Sequence, residues 1–292
     1  MRSRKLKMLE KQFDQYTAMI EEDPASMAGA WAERYLPGAR EVRLDLGCGK
    51  GSFDVRSAAR EPDVLFVGMD CERGCVAMAA KRALATGVRN VVFTAGDGDD
   101  VARYFAPGEL GMVYLNFSTP NTPAKMAPKR LTYADRLVVY RDLLKPGGAV
   151  RFKTDSAPFF DFSLTQFELA GYDVRWLTRD LHAFNPDEVQ SEYEEMLSEM
   201  GASIHALLAV PGPLPEVREQ TAPMGLVSYL PEDLDSMTYI PYGMEDTVRN
   251  LKNYAAKQAK RAKAAERAAA KRAAAERRAA GECQAAGGQA AE

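Results

Sequence analysis

Asp45-Leu-Gly47-Cys-Gly49-Lys-Gly51 stands directly after the apolar run Val42 to Leu46 and before a helical stretch that opens near Ser52. Glycines at a strand-to-helix turn let the backbone bend sharply and come close to a ligand. Two more acids fall at equivalent places. Asp70 closes Phe66-Val-Gly-Met-Asp70, and Asp97 lies just past a third apolar run in Thr94-Ala-Gly-Asp97. In a doubly wound sheet these three strand ends open onto one crevice. Three carboxylates there suit a ligand that donates hydrogen bonds from a cationic amino acid end, a ribose diol and an adenine amine. They suit pyrophosphate badly, because like charges repel. S-adenosylmethionine is therefore the expected cofactor. Asp45 with Gly47 and Gly49 would hold its methionine end, Asp70 would accept from the ribose hydroxyls, and Asp97 would mark the adenine.

The elements that must carry these residues are legible as alternating strands and helices. Val42 to Leu46, Val64 to Met69, Val91 to Thr94, Met112 to Leu115 and Ala149 to Lys153 read as five strands, with Asp173 to Trp176 and Ile204 to Val210 as two more. Helical patterns fill Cys71 to Gly87 and Leu131 to Leu144, the latter stopped by Lys145-Pro-Gly-Gly148. The expected fold is a Rossmann-like α/β domain over 41–210, a mostly parallel seven-stranded sheet with helices on both faces. Residues 1–40 read as a helical, basic arm. Residues 211–248, opened by Pro211-Gly-Pro-Leu-Pro215, form an extension with no clear period, and 249–292 a basic alanine-rich tail.

The 292 residues include 46% hydrophobic side chains, enough for a substantial core, and carry a formal net charge of −3. That average hides a basic end. From Lys257 to Arg278 nine Lys/Arg stand against two Glu in an alanine background that favours helix. A solvated, fraying helix ending in disorder from Gly281 to Glu292 is expected, serving either solubility or attraction to RNA. The four cysteines form no paired CxxC motif and only His182 and His205 supply imidazole, so a metal site or a histidine-based nucleophilic site is not expected. No apolar run reaches the roughly 20 residues needed to cross a bilayer, and Met1-Arg-Ser-Arg-Lys leads into polar sequence, so a cytoplasmic location is expected.

Four separated motifs then carry a resemblance. Leu115-Asn116-Phe117-Ser118-Thr119-Pro120, Lys129-Arg130-Leu131-Thr132-Tyr133, Phe152-Lys153-Thr154-Asp155 and Ser191-Glu192-Tyr193-Glu194 together resemble the bacterial tRNA (guanine-N7)-methyltransferases over about residues 40 to 210. The resemblance implies methyl transfer from S-adenosylmethionine to N7 of a guanosine in the tRNA variable loop. It places Asn116 with the cofactor residues and Asp155, Ser191 and Glu194 at the substrate; Lys125, which keeps positive charge on the loop, is a further substrate-binding candidate.

The same alignment shows a changed loop. Thr119 stands where the family has an active-site Asp, Asn121 where it has Trp, and Pro123 where it has a substrate-binding Lys. Guanine N7 already carries a free lone pair, so no base is required and catalysis can rest on alignment, worth up to about 7–11 kcal/mol. A carboxylate at 119 would still accept from the guanine N1 and amino hydrogens and counter charge on the ring. Thr119, the catalytic candidate by position, can do neither job well, since a hydroxyl accepts weakly and carries no charge. Two other readings remain at this point: a methyltransferase retargeted to another nucleic acid or a small molecule, and a cofactor-binding, RNA-associated protein without catalysis.

Overall fold

A computed structural model describes residues 13–287. The chain divides into two compact units, one ending at Gly243 and the other starting at Met244. The first begins with a 3-10 turn at Phe13–Met19, strand β1 (Ile20–Glu21), a 3-10 turn at Pro24–Met27 and helix α1 (Trp31–Tyr35). It continues through β2 (Glu41–Leu46), α2 (Ser52–Arg60), β3 (Val64–Asp70), α3 (Arg73–Thr86), β4 (Val91–Ala95), α4 (Val101–Tyr104) and β5 (Leu110–Asn116). Then follow α5 (Ala134–Leu143), β6 (Leu144–Thr154), α6 (Ala157–Leu169), β7 (Tyr172–Thr178), α7 (Leu181–Phe184), α8 (Glu192–Glu199) and β8 (His205–Pro211).

The sheet order is β1-β4-β3-β2-β5-β6-β8-β7, parallel except that β8 runs antiparallel to both β6 and β7. It has eight strands where seven were expected. The extra one is the two-residue β1, which pairs with β4 at Ile20↔Phe93 and Glu21↔Thr94 and is too short for any period to reveal. After β2 the chain lays down β3 and β4 on one side, then returns to place β5 on the other. That reversal between β2 and β5 opens a crevice at their carboxyl ends, the usual ligand position in such sheets.

Val64 to Val67 and Met69 are wholly buried because helices cover both faces of β3. Gly51 sits at φ 67°, and a Cβ there would meet the Ala79 Cβ at 2.5 Å, so the glycine lets α2 close onto α3. The expected arm is part of this body over its described residues. Trp31 is fully buried, stacks on Phe105 and donates from Nε1 to the Tyr104 carbonyl at 2.7 Å. The Arg-rich tip lies outside the described residues.

Helix α9 (Glu245–Gly287) forms the second unit. It continues past Gly281, where order was expected to end. A single glycine costs a helix only about 1 kcal/mol, and alanine around it favours continuation. Among the described residues, no helix is long and apolar enough to cross a membrane.

Candidate functional site

The glycine loop leaves β2 with Gly47 at φ 89° and Gly49 at φ 56°, conformations that side chains with a Cβ rarely adopt. Gly47 and Cys48 both donate their backbone N–H to the Met69 carbonyl, at 2.8 and 3.0 Å, which ties the loop to β3. Asp70 completes the turn: its Oδ2 accepts from Gly49 N at 3.0 Å and its Oδ1 from Glu72 N at 2.8 Å. A cavity of about 380 Å³ opens beside the loop, lined by Asp45, Gly47, Gly49, Asn116, Phe117, Ser191, Tyr193 and Met196 among others.

Asp45 and Asn116 meet across the β2–β5 switch. The Asn116 Nδ2 amide donates to Asp45 Oδ1 at 3.1 Å. Asp45 Oδ2 and Asn116 Oδ1 are buried acceptors with no hydrogen-bond partner among the described residues. Two unpaired acceptors on the cavity wall suit an ammonium group, which has only donors to offer. The Asp70 carboxylate, already oriented by two backbone amides, retains lone pairs for a vicinal diol. The ammonium and ribose donors of S-adenosylmethionine therefore have candidate acceptors in this chain, Asp70 standing beside the glycine loop and not on the cavity wall.

Asp54, in the first turn of α2, is wholly buried behind Asp45. Neither acid can donate while ionised, so both Asp54 oxygens also stand without a partner. Burial of two facing acids favours a proton on Asp54, which gives it a donor toward Asp45 and leaves Asp45 an acceptor. Burial pushes Asp45 up to about 7, against the opposing pull of the Lys153 ammonium. Burial first and the Asp45 charge second push Asp54 well above the usual carboxylate range. The sequence shows Asp54 only as a polar residue in a helix start, where capping is the ordinary explanation.

The remaining expected residues fall in different places. Asp97 is exposed at the end of β4, where its Oδ1 accepts from Asp99 N at 3.0 Å, and it does not line the cavity. Ser191 lines the cavity and also caps α8, accepting from Glu194 N at 3.0 Å. Glu194 is placed differently from the expectation. It is fully buried, with Oε2 accepting from Lys153 Nζ at 2.8 Å and Oε1 against His182 Nε2 at 3.1 Å, so it braces the site rather than facing a substrate. Lys125 and Thr119 are exposed. Asp155 is half-buried; Ser156, not Asp155, caps α6 by accepting from Phe159 N.

The changed loop is held by Arg130, of which the sequence shows only a positive charge within a motif. Arg130 is completely buried and donates to the carbonyls of Pro120 and Asn121, each at 2.9 Å, with its guanidinium 4.2 Å from the Phe162 ring. Burial without a carboxylate partner lowers it to about 10. Asn121 takes a φ of 45°, a left-handed position that asparagine tolerates better than most residues.

A doubly wound sheet with a glycine turn, a buried acid at the switch and an oriented acid on the next strand defines a class I S-adenosylmethionine-dependent methyltransferase. Residues 39–207 match the family described as "Putative methyltransferase". The chain is 34% identical over 194 residues to a tRNA (guanine-N(7)-)-methyltransferase of Lactococcus lactis subsp. cremoris, covering 65% of this chain and 89% of that one. It is 35% identical over 210 residues to the enzyme of the same name from Streptococcus pyogenes, covering 72% and 99%. The chain belongs to the tRNA (guanine-N7)-methyltransferase family. Among solved structures, the 16S rRNA methyltransferase KamB is similar over 62% of this chain and 92% of that one, at 15% identity and a TM-score of 0.48.

Proposed function

We propose that this chain methylates N7 of a guanosine in the variable loop of tRNA, with S-adenosylmethionine as donor and the cytoplasm as its compartment. The observation that carries the reading is the Asp45–Asn116 pair at the sheet's switch point, joined by a wall of Phe117 and Tyr193, whose rings stand edge to face at 5.7 Å. Bound S-adenosylmethionine supplies an electrophilic methyl carbon. Asp45 and Asn116 would hold its amino acid end, the Gly47–Gly49 backbone would let it approach, and Asp70 would orient its ribose.

Phe117 and Tyr193 offer apolar faces against which a purine can lie. Asp155 accepts from the N1 and amino hydrogens of guanine, which leaves N7 turned away from it with its lone pair free. No residue has to remove a proton from N7, so the exposed Thr119 does not abolish the chemistry; it removes one stabilising charge. Family membership does not favour the readings of a retargeted enzyme or a binding protein without catalysis. The test is mass spectrometry of nucleosides from tRNA incubated with the protein and labelled S-adenosylmethionine. Labelled 7-methylguanosine is expected; label on another nucleoside, or none, overturns the reading.

A further inference from the structure

The family match ends at residue 207, yet the chain beyond it returns to the substrate side of the crevice. Leu226 is fully buried and donates its backbone N–H to the Thr122 carbonyl at 3.1 Å, while the Thr122 hydroxyl donates to the Gly243 carbonyl at 3.5 Å. Tyr229 stands edge-on to Phe162, the ring on which Arg130 rests. The extension thus crosses the same loop that carries Thr119, Asn121 and Pro123. Within it, the Tyr239 hydroxyl donates to Asp155 Oδ2 at 2.7 Å, and its ring packs together with Phe117 against the cluster of Leu181, Leu197 and Ile204.

Asp155 is a carboxylate that the extension reaches beside a loop whose position 119 carries no acid. A half-buried carboxylate on a loop can rotate, and burial favours its protonated form, which accepts poorly. A phenol donor opposes both tendencies: it fixes one oxygen and stabilises the charge. We infer that Tyr239 is a positioning residue for the target guanine, holding Asp155 by Oδ2 so that Oδ1 is presented to the N1 and amino hydrogens of the base. The extension, which lies outside the family match, thereby completes the base site of a loop that has lost its own acid. This rests on the proposed guanine-N7 reading.

Among the described residues, Tyr239 from the extension and Tyr193 from α8 face Asp155. Burial raises Asp155, and the Tyr239 bond is the largest opposing influence. Removing that bond raises Asp155 further, and because the ionised form is the acceptor, the acid limb of the rate profile moves to higher pH.

The experiment uses the full chain, S-adenosylmethionine and tRNA, and compares wild type, Tyr239→Phe, Asp155→Ala and the double variant. Tyr239→Phe is expected to lower kcat/KM for tRNA on the order of tenfold, the scale of one hydrogen bond to a charged group. The acid limb should shift upward while cofactor affinity and melting temperature stay near wild type. In the Asp155→Ala background Tyr239→Phe should cost nothing more, because the two act as one unit. Wild-type kinetics in Tyr239→Phe, an equal loss in both backgrounds, or a parallel fall in stability and cofactor binding would overturn the inference. Wild-type protein that forms no 7-methylguanosine overturns the underlying reading as well, and that outcome is read from the wild type alone.

Discussion

Lys153 Nζ lies 2.8 Å from Glu194 Oε2, with the two side chains 1% and 0% exposed, so an ion pair joins β6 to α8 beneath the cavity. Lys153 also donates to the Val189 carbonyl at 3.2 Å and stands 5.0 Å from the Phe53 ring. Glu194→Gln removes the nearer carboxylate of that ammonium, leaving Glu188 Oε1 at 4.0 Å, and is expected to cost up to about 3–5 kcal/mol of stability. Replacing both partners by apolar residues of similar volume, Lys153→Met with Glu194→Leu, should recover most of the loss. Urea unfolding of the three variants checks this. A Glu194→Gln protein within about 1 kcal/mol of wild type would show that Lys153 does not depend on this pair.

The buried acids Asp45 and Asp54 give stability a sign opposite to the usual carboxylate. Both are raised in the folded state, so the fold holds a proton that the unfolded chain releases. The Asp45 contribution is full below the ordinary carboxylate range near about 4 and is lost as pH rises through about 7; that of Asp54 persists well above that ordinary range. Asp54→Asn supplies a permanent amide donor to Asp45 and removes one of the two charges. Its melting temperature should fall less than that of wild type between pH 5 and pH 8. Parallel curves for the two proteins would mean the acids do not share a proton.

Thr119 is exposed on the changed loop, so an acid there carries little desolvation cost. Thr119→Asp is expected to raise guanine-N7 methylation at least about tenfold, on a scale where one such electrostatic contact is worth on the order of 10²–10³. Cofactor affinity should not change. A fall in rate with unchanged cofactor binding would indicate that the loop has been adapted around Asp155 and no longer has room for a second charge.

Between Lys257 and Arg272, helix α9 carries seven exposed cations against the single acid Glu266. Lys260, Arg267 and Lys271, spaced by seven and then four residues, share one face. Contacts from such a row to phosphates add affinity without reading sequence, and each neutralised phosphate releases counterions. Deleting Lys257 to Glu292 should therefore weaken tRNA binding and flatten the dependence of log affinity on log salt, with the methylated position unchanged. Equal affinities and slopes across a salt series would leave the helix as a solubility device.

The sequence alone determined the parts of this protein that depend on local chemistry. The strands from Val42 to Val210 alternate with helices because burial on both faces demands near-continuous apolar runs, and the glycine turn after Asp45 needs positive φ wherever it is used. The succession of acids at strand ends pointed to the cofactor for the same reason. What only the tertiary structure decided involves residues far apart in the chain, whose meaning depends on what surrounds them. Glu194 is expected at the substrate by resemblance, and it is a buried brace because β6 brings Lys153 against it. Arg130 reads as loop charge, and Asp54 as a helix start, until neighbouring elements close over them. Tyr239 lies in a stretch without period, where no local pattern could pair it with Asp155, 84 residues away. Local preference sets which elements form; burial and hydrogen bonding between distant segments set which of their polar residues act.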